Sequence, residues 1–242
     1  MRYIALMLVF MIPLASAYYG GNTVSQSIDM SASGGYVSQS ASNAAVVVGD
    51  NNNVNQKISQ SASGNYVTQS AANAAVVIGN GNTVGQSTSQ SANGNTISQS
   101  AANAVAVVGD LNTVNQLVSQ SATGNEIYQS GWNTATIVGD GNVLGQRVVQ
   151  TINMLPAHVD PSQTMSNSAY IMGSYNTVDQ GLYGTILAGT NNAPMYQSGR
   201  NYIQTNDPSG NSYSQRIRFS VRAGPRAPVS QSGQNEIRIG PL

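Results

Sequence analysis

The chain has 242 residues, no cysteine and only 7% charged residues, with nine basic and nine acidic side chains. A nucleic-acid partner needs a basic surface, so this charge balance argues against one, and the lack of cysteine excludes a disulfide-stabilised scaffold. Low charge in a polar sequence favours association over solubility, because surface charge keeps soluble proteins apart.

The first predicted element is a secretory signal peptide over residues 1–17. Arg2 supplies the positive charge, the apolar stretch that follows is too short to span a membrane, and Ala15-Ser-Ala17 is a small-x-small cleavage site. No second long apolar run follows, so no membrane span is predicted. The sequence predicts an exported chain that begins at Tyr18 and is secreted to the extracellular space or the cell surface.

An internal period of 30 residues organises the chain up to Gln150. Chance does not keep so many positions in phase, so the period predicts a repeat architecture. The main amide columns are Asn22, Asn52, Asn82, Asn112 and Asn142; Gln26, Gln56, Gln86, Gln116 and Gln146; and Gln39, Gln69, Gln99 and Gln129. Other columns in the same phase are Gln60, Gln90, Gln120 and Gln150; Asn43, Asn73, Asn103 and Asn133; and Val24, Val54, Val84, Val114 and Leu144.

Within each unit, apolar and amide residues alternate with small polar residues at a period of two, which predicts β-strands. In the second unit the strand tracts are 53–62 and 65–78, and the parity shifts across the turn at 63–65. A further break near 70–73 would give three strands per turn, and the pattern leaves both cases open.

The predicted fold is an all-β solenoid of stacked 30-residue strand–turn–strand repeats. Identical amides form in-register ladders up the stack, and ladders of valine fill the space between them. A laddered amide has partners above and below, which compensates its burial. The alternative is an amide-rich disordered tract, but disorder requires neither phase nor parity.

The segment Gln60-Ser-Ala-Ser-Gly-Asn65-Tyr-Val67-Thr-Gln69 resembles the curlin repeat of bacterial curli and related functional amyloids. The Gln-to-Asn spacing recurs from Gln90 and from Gln120, and the theme returns near Gln197 and Gln231. Two features depart from the family: the 30-residue unit is longer, and the last Gln falls two residues early. A weaker resemblance is to the amyloid-like sheath proteins of methanogenic archaea. These resemblances imply a stacked β-solenoid and assembly into a fibre or sheath.

One tract of each unit is apolar on both faces, as in Ala74-Ala-Val-Val-Ile78. Strands that are buried on both sides have this composition, so the outward side chains need a cover. Either the C-terminal segment folds back over them, or a neighbouring molecule covers them and makes a lateral interface. The residues predicted for that interface are Val46, Val48, Val76, Ile78, Val108 and Val138.

Beyond the regular repeats of 18–150, the chain is predicted to form a loop insertion over 151–162 and degenerate repeats over 163–242. These repeats end in a cap or docking segment, because solenoids need atypical ends to control growth. Arg216, Arg218 and Arg222 alternate with apolar residues and predict a strand with a basic face. That face either docks an acidic glycan or membrane surface, or is a charged edge that blocks further pairing.

No residue is nominated as catalytic, so the protein is predicted not to be an enzyme. The single histidine, His158, lies in a proline-flanked loop, and the carboxylates are scattered. Asp110 and Asp140 occupy equivalent turns, and a bound Ca²⁺ would relieve the repulsion of stacked carboxylates there. These residues are a weak metal site, and no cofactor is predicted.

The predicted function is structural: the exported chain assembles with itself into an extracellular fibre, sheath or biofilm-matrix layer through cross-β-like stacking. The predicted partner is the protein itself as a homopolymer, with a nucleator or a cell-surface anchor as further candidates. The alternative is a monomeric β-helical adhesin, or a protein that binds a glycan or another surface through regular serine rows. A degenerate carbohydrate-active β-helix is a third option.

Overall fold

The computed structural model of the protein describes residues 14–18, 20–79, 81–109, 111–139, 141–155, 160–173, 175–188, 193–206, 212–224 and 227–240. The strands are β1 (Leu14–Tyr18), β2 (Thr23–Val48), β3 (Asn53–Ile78), β4 (Thr83–Val108), β5 (Thr113–Val138), β6 (Val143–Met154), β7 (Ser162–Met172), β8 (Thr177–Leu187), β9 (Met195–Thr205), β10 (Ser212–Arg222) and β11 (Val229–Ile239). All their pairings are parallel. The predicted fold class is confirmed: the chain is an all-β parallel solenoid of about 7 turns.

Strands β2 to β5 each form one coil of the solenoid. Val54 of β3 pairs with Val84 of β4, which pairs with Val114 of β5, so the register follows the 30-residue period. Along β3, inward positions are even-numbered up to Ala62 and odd-numbered from Val67 onward. The change of parity occurs at 63–66, which we call the arc. Alternation continues without interruption through 70–73, so each coil has two straight halves and not three.

The two halves of a coil face each other across a thin interior. Apolar side chains collect near its two edges: one cluster includes Val67, Ile97 and Ile127 beside the arc, and another includes Val77, Val107 and Ile137 beside the corner between coils. Burying one such side chain contributes roughly 1.5–3 kcal/mol. Amide side chains lie between the two apolar edges. Their hydrogen bonds depend on the register of the coils, whereas apolar contacts alone would not fix it.

The corner between coils requires glycine. Gly79 has φ +137° and Gly109 has φ +140°, in a region that L-residues with a side chain rarely adopt. A Cβ atom on Gly109 would collide with the carbonyl oxygen of Gly79 in the coil below. Stacked corners therefore exclude side chains at this position, which explains why the glycine recurs with the period.

The last three coils are interrupted at the arc. They consist of β6 with β7, β8 with β9, and β10 with β11, and each pair supplies the two straight halves of one coil. Gln146 pairs with Gln180, so the register offset rises from 30 to 34 residues. The additional residues lie between the halves, so inward positions stay aligned. Repeats that look degenerate in sequence therefore continue the same stack.

The short strand β1 pairs in parallel with Ala44–Val48 on the outer edge of β2. Residues 1–13 and Tyr19 lie outside the described part of the chain. The signal peptide therefore stays a prediction. Of residues 1–17, the structure describes only the part that lies in strand β1.

Candidate assembly surfaces

The predicted glutamine ladders lie in the interior of the solenoid. The Nε2 of Gln56 donates to Oε1 of Gln86 at 2.7 Å and to the carbonyl oxygen of Ala74 at 3.0 Å. Gln99 donates likewise to Oε1 of Gln69 at 2.8 Å and to the carbonyl oxygen of Ser121 at 3.1 Å. Each amide thus bonds once along the stack and once across the coil. An unpartnered buried amide would cost about 1–3 kcal/mol, so this double bonding makes the interior sensitive to register.

The column that contains Asn52 has a different role from the predicted amide-to-amide ladder. The Nδ2 atoms of Asn52, Asn82 and Asn112 donate to the carbonyl oxygen of the glycine three residues earlier, which fixes the corner. Along the stack, the backbone N–H of Asn52 donates to Oδ1 of Asn82 at 3.4 Å. Asn142 makes the same corner bond to Gly139, while Asn22 lies at the half-buried start of the stack.

The most continuous ladder is another asparagine column. Its members are Asn43, Asn73, Asn103, Asn133, Asn167, Asn201 and Asn235. In each step Nδ2 donates to Oδ1 of the next coil at 2.9–3.0 Å. The period marks the first four members, but the change to a 34-residue offset hides the others. The Gln-Ser-Gly-x-Asn segments that end at Asn201 and Asn235 were the available signal.

The predicted lateral row lies on the outside of the second half of each coil. Val76, Ile78 and Val108 are 41%, 44% and 45% exposed. Val46 is also exposed, while Val48 and Val138 are half-buried. The described C-terminal strands continue the stack and do not fold back over this row. The first predicted cover is therefore absent from the described residues, and the row is available for the second, a neighbouring molecule.

The same outer face changes character from β5 onward. Trp132 is exposed at a position that carries alanine in β4, and its successors up the stack are Ser166 and Arg200. Arg200 and Arg238 both donate to the carboxylate of Glu236. These hydrogen bonds hold the pKa of Glu236 below its usual range.

Two tyrosines lie beside the ion-pair cluster. The guanidinium of Arg200 lies 5.3 Å from the ring centroid of Tyr202, a cation–π distance. The ring of Tyr170 lies 5.6 Å from that of Tyr202. The outer face of the later coils is therefore aromatic and charged, where the earlier coils are apolar.

The three predicted basic residues lie on the outside of β10. Arg216, Arg218 and Arg222 are exposed, and the alternate residues Ile217, Phe219 and Val221 point toward the interior. They belong to the opposite half of the coil from Arg200 and Arg238, so the structure separates the arginines into two surfaces.

The two ends of the solenoid differ in exposure. In the first coil the inward residues Val24, Ile28 and Val37 are buried. In the last coil Ile237 and Ile239 occupy inward positions but are 43% and 54% exposed. Among the described residues, no further coil stacks on β10 and β11. This open end presents unpaired strand edges together with side chains of the interior.

The predicted calcium ligands Asp110 and Asp140, and also His158, lie outside the described residues. Within the described ranges, no group of three or more His, Cys, Asp or Glu side chains is arranged to hold a metal ion. The described residues also contain no helix with the length and apolarity needed to cross a bilayer.

Comparison of the chain with protein-family models, curated proteins and solved structures finds no match. The geometry of the surfaces therefore carries the functional argument by itself.

Proposed function

We propose that this protein is exported and assembles with copies of itself into an extracellular fibre, sheath or matrix layer. The observation that carries the proposal is the open last coil, in which interior residues such as Ile237 and Gln231 are exposed beside a free strand edge. Soluble β-proteins normally shorten, charge or cover such an edge. Here the charged side chains of β10, which are Arg216, Arg218 and Arg222, point outward, while the inward positions of the edge keep the ladder sequence of the interior, which suits the addition of another coil.

The composition supports the same conclusion. Charged residues make up 7% of the chain, so little electrostatic repulsion opposes association. The stacked amide ladders also agree with the resemblance to curlin repeats. In this proposal the protein has a structural role and no catalytic one.

Lateral growth is the second part of the proposal. The exposed row that includes Val76, Ile78 and Val108 packs against a neighbouring stack, which removes apolar surface from water. End-to-end stacking gives a filament, and lateral packing of filaments gives a sheet or sheath.

The test uses purified protein without residues 1–17, incubated at neutral pH with and without Ca²⁺. Negative-stain microscopy is expected to show ordered filaments or sheets, and fibre diffraction to show a meridional reflection at roughly 4.8 Å from stacked strands. A β-rich protein that stays monomeric at high concentration would contradict the proposal. Calcium dependence would support the predicted metal site at Asp110 and Asp140.

A second candidate function is the binding of a glycan on a cell surface. The exposed Trp132 of β5 and Tyr170 of β7, with the half-buried Tyr202 of β9, favour it, because aromatic rings stack on sugars and Arg200 and Arg238 attract acidic groups. Trp132 is the single tryptophan. Titration with neutral and acidic polysaccharides should then change its fluorescence, and an unchanged spectrum would argue against this candidate.

A further inference from the structure

We infer that copies of this protein join with the β10–β11 coil of one molecule against the β2 coil of the next, in the register of the internal ladders, and that β1 occupies part of this contact until the leader is removed. The inference rests on the proposed self-assembly. It adds the direction in which copies stack, the residues in contact and the step that controls assembly.

The strand pairings fix the register of the junction. Tracing the pairs from coil to coil places Gln231, Asn235 and Ile237 in the columns of Gln39, Asn43 and Ala45. The other half of the coil places Gln215, Ile217 and Phe219 in the columns of Gln26, Ile28 and Met30. The two ends of the solenoid therefore carry amides opposite amides and apolar residues opposite apolar residues.

The asparagine column has the polarity needed to continue across a junction. Every Nδ2 in it donates toward the C-terminal end, so Asn235 accepts from Asn201 and its own Nδ2 faces the open edge. At the other end, Oδ1 of Asn43 is buried and has no hydrogen-bond partner. Every later Oδ1 of this column accepts from the coil before it, so the unpaired Oδ1 of Asn43 is the position where a donor from a further coil would bond. Asn235 of a second copy supplies it in register.

The column of Gln39 continues with the opposite polarity. Gln69 donates to Gln39, and Gln231 donates to Gln197, so every amide donates toward the N-terminal end. Nε2 of Gln39 bonds to the carbonyl oxygen of Ser61 at 3.0 Å and retains a second N–H. Oε1 of Gln231 in a second copy is the acceptor in register. Two independent columns thus agree on one direction of stacking.

The column of Gln26 needs an adjustment. Its hydrogen bonds reverse between the early and late coils, since Gln26 donates to Gln56 whereas Gln215 donates to Gln180. Oε1 of Gln26 is also buried without a partner. The two amide oxygens would meet at the junction, so rotation of one amide by a half turn accompanies stacking.

The column of Gln60 ends in apolar residues at both ends of the solenoid. Met30 replaces glutamine in the first coil, and Phe219 occupies the same column in the last coil. Stacking places the Met30 sulfur beside the Phe219 ring, a contact worth about 0.3–1.5 kcal/mol. Neither end carries an amide that this junction would leave unpaired.

Strand β1 competes for the same edge. It pairs with Ala44–Val48 of β2, where the register of the junction would place residues 236–240 of a second copy. One strand edge holds one partner, so β1 excludes this half of the contact. Removal of residues 1–17 takes away almost all of β1 and frees the edge.

The first experiment compares the same molecules before and after loss of the leader. A specific protease site is inserted between Ala17 and Tyr18 of the full chain, and assembly is followed by light scattering and microscopy. We expect no filaments before cleavage and filaments after it. Equal assembly rates before and after cleavage would overturn the role of β1.

The second experiment blocks the open edge. After cleavage, Ile237→Lys places a charge at an inward position of the last coil, while Ser232→Lys places the same charge on the outside of the same strand. Because Ile237 is already 43% exposed, we expect a folded monomer by circular dichroism and gel filtration. Ile237→Lys should lose assembly, and small amounts of it should shorten unmodified filaments because its β2 edge still binds their open ends.

The outcomes separate the two proposals. If the unmodified chain and Ser232→Lys assemble and Ile237→Lys does not, the junction is supported. If all three assemble alike, the junction is wrong and self-assembly stands. If none assembles, both proposals fail. Ile217→Lys on β10 tests the same edge independently, should Ile237→Lys not fold.

Discussion

The first four coils and the last three share their interior and differ on their surface. Strands β2 to β5 run through the arc, and their outer faces carry small and apolar residues such as Val76 and Ala106. The later coils are interrupted at the arc and carry Tyr170, Arg200 and Glu236 on the same face. The asparagine ladder nevertheless passes through all of them with nearly constant distances. Inward positions therefore specify the fold, and outward positions are free to define surfaces.

Inward positions specify the fold because an inward side chain has more bonding partners than an outward one. Asn103 accepts from Asn73 and from the Thr88 hydroxyl, and it donates to Asn133 and to the carbonyl oxygen of Leu117. Its identity is therefore fixed by four neighbours. An outward residue contacts solvent and its stacked neighbours, and substitutions there usually change stability by no more than about 0.5 kcal/mol.

The largest expected effect comes from breaking the asparagine ladder in each region. Asn103→Leu and Asn201→Leu keep the side-chain volume but leave Asn133 and Asn235 without a donor. We expect the free energy of unfolding of each variant to fall by about 3 kcal/mol. A buried polar group without a partner costs about 1–3 kcal/mol, and several groups are affected. Urea unfolding measures the loss.

The matched controls are Ser98→Ala and Ser198→Ala, which change exposed outward residues of the same regions. Both should stay within about 0.5 kcal/mol of the unmodified protein. A loss confined to Asn103→Leu would show that the ladder stabilises the early coils alone and that the two regions do not share their interior energetics.

A smaller effect is expected at the corners. Gly109→Ala forces a Cβ atom into the carbonyl of Gly79 at φ +140°, and we expect a loss of about 1–3 kcal/mol. Gly85→Ala is the control, since a Cβ atom there has no neighbour within 4 Å. Thermal unfolding compares the two, and equal melting temperatures would contradict the steric account.

A gain in stability is expected from a substitution at Leu111, two residues after Gly109. Leu111 is exposed and has φ +57°, a conformation that costs an L-residue roughly 1–2 kcal/mol. Leu111→Gly removes that strain but adds about 0.5–1 kcal/mol of chain entropy in the unfolded state. A net gain of about 0.5 kcal/mol should follow, and a lower melting temperature would contradict it.

Changes on the outer apolar row should alter association and leave the fold intact. Val76→Lys with Val108→Lys adds two charges to the proposed lateral interface, and the stability of the monomer should change by no more than about 0.5 kcal/mol. Microscopy is expected to show single filaments in place of sheets. The control, Asn55→Lys with Asn115→Lys, places the same charges on the other outer face. Sheets formed equally by both variants would remove this row from the proposal.

The sequence predicted the interior better than the ends. Parity and phase identify residues such as Gln56 and Val77 as inward-facing, because stacking requires identical residues at identical depth. The corner role of Asn52 was missed, because an in-phase column is compatible both with a ladder and with a turn bond to glycine. The later coils were difficult to predict from the sequence, because longer arcs change the spacing of equivalent residues but leave the strand pairing intact.

The surfaces were predicted less completely than the interior. The apolar row is visible as a break in alternation, so Val76 and Val108 were identified. Arg200, Glu236 and Arg238 were not, because Glu236 lies 36 residues after Arg200, on strands whose offset from the main period hides this contact. The unpaired Oδ1 of Asn43 results from the position of its coil at the end of the stack, and this position cannot be predicted from composition.

The smallest expected effect concerns the charged cluster of the later coils. Hydrogen bonds from Arg200 and then from Arg238 lower the pKa of Glu236 in the folded chain below its value of about 4.5 when free. Stability from this group is therefore present above that value and is lost as the pH falls through the lowered pKa. Glu236→Gln should remove this acid dependence while stability at neutral pH changes little, because the cluster is exposed to solvent. Unfolding midpoints measured from neutral to acidic pH test it, and parallel curves for the two proteins would show that the ion pairs do not contribute. Since the equivalent position is alanine in β2 to β4 and Thr134 in β5, this dependence would belong to the later coils alone.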